Sequence, residues 1–86
     1  MMGLLARLGG TGRALEYQVF DAYLEAAGDV FRAKTRPDSF RTGTLFVRVS
    51  SAALGHELTL LRGEILTRMQ ATLGPGIVNE IRTRMG

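Results

Sequence analysis

The sequence predicts one α+β domain, a three-stranded mixed sheet with helices on one face, and three observations predict it. From Leu45 to Val49 the apolar residues Leu45, Val47 and Val49 alternate with Phe46 and Arg48, the period of a half-buried strand. From Leu54 onward they fall at Leu54, Leu58, Leu61, Ile65 and Met69, the three-and-four spacing of a helix face. A second alternating run, IVNEIRTRM, closes the chain at residues 77–85. With 86 residues there is material for a single core, and 45% hydrophobic against 22% charged residues is too apolar for a disordered chain.

The opening residues, MMGLLARLGG, are expected to make a short apolar helical turn around Leu4, Leu5 and Leu8 that docks or frays. The run is too short, and too interrupted by Arg7, for a secretory signal or a membrane span, so no membrane partner is expected. GGTGR at 9–13 reads as a flexible linker, which places a short apolar turn and linker at 1–13 and the domain at 14–86. The glycines do not make a phosphate loop. No strand precedes them, and the Lys-Ser/Thr pair that reaches phosphate and magnesium is missing.

Residues 14–34 form the first helix. Val19, Phe20, Tyr23, Leu24, Ala27, Val30 and Phe31 make one broad stripe, with Asp21, Glu25, Asp29 and Arg32 on the other side. The acidic row lies on the polar face with no histidine nearby, so it reads as solvated surface and no metal site is expected. Tyr23 is expected in the core with its hydroxyl reaching water at the edge. Lys34 and Arg36 suit the negative end of the helix dipole, and Pro37 stops the helix. A short strand at Ser39–Arg41, a turn at Thr42–Gly43 and the strand at 45–49 then make a hairpin. Ser50 or Ser51 caps the next helix. Residues 52–73 are helical, but Gly55 and Gly63 each cost about 1 kcal/mol relative to alanine. Two helices with a bend near Thr59–Gly63 are therefore expected. GPG at 74–76 ends the helical run. In the final strand Ile77, Ile81 and Met85 face the core, and Val78, Glu80, Arg82 and Arg84 face outward.

If the second and third strands are neighbours, the helical crossover makes them parallel. Leu45, Val47, Val49 and Ile81 then share the covered face, while Phe46, Arg48, Arg82 and Arg84 project from the open one, with Arg41 on the adjoining strand. An aromatic ring among guanidiniums stacks bases while the charges follow phosphates; the competing reading is that the arginines guard an exposed sheet against aggregation. Lys34 and Arg36 form a second basic cluster.

The net charge is +3, from eleven basic and eight acidic residues, ten of the basic ones arginine. That permits an anionic partner without requiring one. The absence of cysteine removes disulfides, thiolate zinc sites and thiol nucleophiles, and fits a cytoplasmic protein. His56 is the single histidine, and Glu57 points about 100° away around the helix, so neither an enzyme nor a cofactor site is expected.

LLARLG at 4–9, YLEAAGDVFRAKTRP at 23–37, GTLFVRVSSAALGHELTLLRGEILTRM at 43–69 and VNEIRTRMG at 78–86 together resemble the DciA family of bacterial proteins over nearly the whole chain. The resemblance implies a KH-like fold of type II order, α-β-β-α-α-β, matching the order read above. It also implies a DNA-replication factor that acts with the hexameric replicative DNA helicase, helping to load or operate it, without hydrolysing ATP. A KH-like module binding ribosomal or other structured RNA is the alternative. KH modules clamp a nucleic-acid backbone with a GXXG loop, which neither GHEL at 55–58 nor RGEI at 62–65 completes.

Overall fold

The computed structural model describes residues 12–86. The apolar turn at 4–8 and the first part of the linker lie outside the described residues. The chain runs α1 (Gly12–Lys34), β1 (Thr35–Arg41), β2 (Thr44–Val49), α2 (Ala52–Leu73) and β3 (Glu80–Met85). The sheet order is β1-β2-β3, with β1 antiparallel and β3 parallel to β2. Both helices pack on one face, against Leu45, Val47, Val49 and Ile81, which are at most 3% exposed. The expected α+β class and mixed sheet are present. The expected third helix is not: one helix joins β2 to β3 where the KH-like order has two.

The glycines of α2 explain that difference. Gly55 is buried where the helix crosses the end of β2, and a β-carbon there would lie 3.3 Å from Val49 Cγ2, so its smallness serves packing. Gly63 faces open space and costs only its propensity, which tertiary burial of Leu54, Leu58, Ile65 and Met69 outweighs. Ser51 is the cap, its Oγ accepting from Leu54 N–H at 3.1 Å. Leu61 departs from the predicted stripe and is 42% exposed, because no described element covers the turn at 59–64.

The break falls in α1 instead. Gly28 has φ 83° and ψ 171°, a conformation that side chains strain against, and the helical rows after it are rotated relative to those before. Val30, predicted for the core, is therefore exposed, while Phe31 is buried. Arg68 of α2 donates from Nη1 to the carbonyl of Ala26 at 3.0 Å, supplying a donor two residues before the break.

β1 begins at Thr35, four residues earlier than predicted, because Tyr23 and Thr35 lock the helix end to the strand start. Thr35 Oγ1 donates to the Phe31 carbonyl at 2.6 Å and so accepts from the Tyr23 hydroxyl, also at 2.6 Å. The Tyr23 hydroxyl does not reach water, contrary to the sequence reading: the residue is fully buried. Pro37 is tolerated because β1 is an edge strand. Glu16 Oε2 on α1 accepts the Phe40 N–H at 3.2 Å, occupying one of the edge groups.

Thr42 (φ 50°) and Gly43 (φ 80°) form the hairpin turn. The Gly43 carbonyl accepts from Asn79 N–H at 2.7 Å and Glu80 N–H at 3.1 Å, which fixes where β3 begins. Because alternation starts only at Glu80, Val78 is buried rather than outward, and Gln70 Nε2 donates to its carbonyl at 3.0 Å. Met85, predicted inward, is 61% exposed at the sheet's end.

Burial raises the Tyr23 phenol above its ordinary range, the Thr35 hydrogen bond opposing this in part. Its contribution is thus complete below the ordinary tyrosine pKa and fades as pH rises through the folded value. Tyr23→Phe is expected to lower stability by about 1 kcal/mol, read as an earlier urea midpoint at unchanged slope. An unchanged midpoint would contradict a structural role for the hydroxyl chain.

Candidate nucleic-acid interface

The open face is organised by register. Across the sheet one row is Arg36, Arg48 and Arg84; the next is Ser39, Phe46 and Arg82; the last is Arg41, Thr44 and Glu80. Cross-strand partners share a face, so strand alternation brings Phe46, Arg48, Arg82, Arg84, Arg36 and Arg41 onto one surface. Lys34 stands at the corner, where it lines a shallow cavity of about 340 Å³ with Arg36, Arg48 and Gly86. The two basic clusters of the sequence reading are therefore contiguous through Arg36 and Arg48.

Three guanidiniums in one row repel, and a carboxylate offsets them. The β1–β2 register shifts between Pro37 and Ser39, leaving Asp38 as the extra residue of a β-bulge. Its Oδ1 accepts from Arg48 Nε at 3.0 Å and its Oδ2 from Arg84 Nη1 at 3.2 Å. The Arg84 guanidinium carbon also lies 4.5 Å from the centroid of the Phe46 ring. Arg82 pairs with Glu80 at 2.9 Å. That hydrogen bond and the Arg82 charge hold the Glu80 carboxyl below the usual glutamate range, helped by Arg62 and Thr44. Exposed pairs of this kind are screened by solvent and contribute little, so the face stays open to competing anions. Six basic side chains against Asp38 and Glu80 leave it electropositive.

Sequence reasoning missed Asp38, Thr35 and Arg68. The Asp38 signal was available only as a Pro-Asp pair inside an edge strand, and the bulge that turns its side chain to the open face depends on pairing. Elsewhere the chemistry is sparse. His56 and Glu57 are exposed on α2, no cluster of three metal-ligating side chains occurs among the described residues, and no helix of those residues is long and apolar enough to cross a membrane.

Comparison with known proteins gives two findings. The model of a family described as "Dna[CI] antecedent, DciA" matches residues 2–83. A UPF0232 protein of Rhodococcus jostii (strain RHA1) is 27% identical over 74 residues, covering 86% of this chain and 39% of that protein. The chain thus spans well under half the length of this relative.

Proposed function

Because the chain belongs to the DciA family, we propose that it is a non-enzymatic replication factor that engages the hexameric replicative DNA helicase and assists its loading or operation, with auxiliary DNA affinity. Family membership carries the helicase part. The DNA part is supported by one observation, the gathering of Phe46, Arg48, Arg82 and Arg84 on an uncovered sheet face. Side chains that leave the backbone about 4.8 Å apart across the strands and about 6.7 Å apart along them offer a charged track with an aromatic platform inside it. Arg41, Arg36 and Lys34 extend the track along β1 to its corner.

The RNA-module alternative loses ground in the same geometry. A GXXG clamp works from the loop between two helices, and here both GHEL and RGEI lie inside the single helix α2. Nucleic acid then meets the sheet rather than a clamp.

The expected outcome of helicase capture is that the immobilised chain retains its cognate replicative helicase from nuclease-treated lysate. Loss of the helicase on nuclease treatment would reduce the contact to bridging by nucleic acid, and RNA-dependent recovery of ribosomal material would favour the alternative. For the DNA part, replacing Arg48, Arg82 and Arg84 together by Gln is expected to weaken oligonucleotide binding and flatten the slope of log affinity against log salt by about 2. The thermal midpoint should move little, since these side chains lie outside the core. Unchanged affinity and slope would remove the sheet face from the proposal.

A further inference from the structure

We propose that Asp38 is a latch: it holds Arg84 over the Phe46 ring, so that the face is used in full only by a ligand that supplies a phosphate and an unstacked base together, a single-stranded nucleic acid. This rests on the reading that the sheet face binds nucleic acid, and it names which form the face selects.

The geometry is specific. Phe46 is the aromatic residue in the middle of the open face, flanked by Arg48 on its own strand and by Arg82 and Arg84 on β3. The Arg84 guanidinium, 4.5 Å from the ring centroid, occupies the ring face on which a base would stack. Two attractions keep it there, the ring's electron-rich face and the Asp38 carboxylate at 3.2 Å. The same carboxylate engages Arg48 through its other oxygen at 3.0 Å. One anion on the bulge thus occupies two of the three guanidiniums beside the ring. Asp38 is the more sheltered partner in each pair, its side chain 23% exposed against 43% for Arg48 and 47% for Arg84.

A phosphate offers the two arginines the hydrogen-bond acceptors that Asp38 now supplies. When it takes them, Arg84 leaves the ring, and the uncovered Phe46 accepts the base attached to that phosphate. A single strand supplies both groups at once. A duplex supplies the phosphate but keeps its bases stacked inside, so it gains the charge contact without the ring.

The test compares the intact chain with Asp38→Asn, Phe46→Leu and the double variant, using a labelled oligo-dT strand and a labelled duplex of equal length. Asparagine keeps the shape of the bulge residue and removes its charge. The expected result is that Asp38→Asn tightens oligo-dT binding about fivefold, the effect of losing exposed ion pairs that compete with the ligand. Adding Phe46→Leu should remove most of that gain, and duplex binding should improve less. An equal gain on both ligands that survives Phe46→Leu would overturn the latch and leave only a net-charge effect. No gain at all, with wild-type binding still sensitive to Arg82→Gln, would overturn the latch while leaving the DNA-binding face standing. If oligo-dT binding is absent from every variant, both fail. A measurement without nucleic acid gives a second check. The Arg84 side-chain protons should show an upfield ring-current shift in wild-type NMR spectra that diminishes in Asp38→Asn; an undiminished shift would overturn the holding role of Asp38.

Discussion

The parallel, in-register pairing of β3 with β2 is the constraint on which the rest of the structure depends. Once Leu45 opposes Ile81, strand alternation assigns every other side chain of both strands at once. The even positions of this pair, Phe46, Arg48, Arg82 and Arg84, go to the open face, and Leu45, Val47, Val49 and Ile81 go to the core. A slip of one residue in β3 would drive Arg82 and Arg84 under the helices, where unpaired charge is prohibitively costly. Polar chemistry and core packing therefore select the same register. The Gly43 carbonyl pins it, holding the Asn79 and Glu80 amides at the hairpin turn. Glycine suits this position by its φ of 80°, and a β-carbon there would also displace the Asn79 amide, whose Nδ2 would lie 2.7 Å away.

The second organising contact ties α1 to the edge strand. Among the described residues, the hydroxyl chain from Tyr23 through Thr35 to the Phe31 carbonyl is the one polar thread through an otherwise apolar core, and it is fully paired. It starts β1 directly at the end of α1, and the early start places Asp38 where the bulge turns it toward the arginines. Packing on the covered face thus sets the electrostatics of the open one. The two faces differ in kind: side chains on the first are held by burial, while those on the second are held by weak ion pairs that a ligand can replace.

Much of this was legible in the sequence because period-two alternation reports a sheet face directly. Leu45 to Val49 and Ile81 to Arg84 named both the core side and the basic side before any pairing was known, and the helical crossover made the two strands parallel on the condition that they were neighbours. What stayed hidden depends on contacts between distant segments. Gly63 looked like a helix break and is not one, since propensity is overruled by the burial on either side of it. Gly28 looked like an ordinary helix residue, yet its backbone conformation turns Val30 outward and leaves a carbonyl for Arg68. Asp38 carried no signal of its own because its role comes from a register shift. The positions where the reading went wrong are those where tertiary contact, rather than local pattern, decides the outcome.

In the proposed function the sheet face, and not a helix loop, meets nucleic acid. The most direct measurement is an NMR titration of the intact chain with unlabelled oligo-dT, following backbone amides and arginine Nε signals. The expected shifts are concentrated in β2 and β3, with the Nε signals of Arg48, Arg82 and Arg84 moving most and the solvent side of α2 unmoved. Shifts confined to α1 and α2, with those arginine signals unchanged at saturating oligonucleotide, would contradict it.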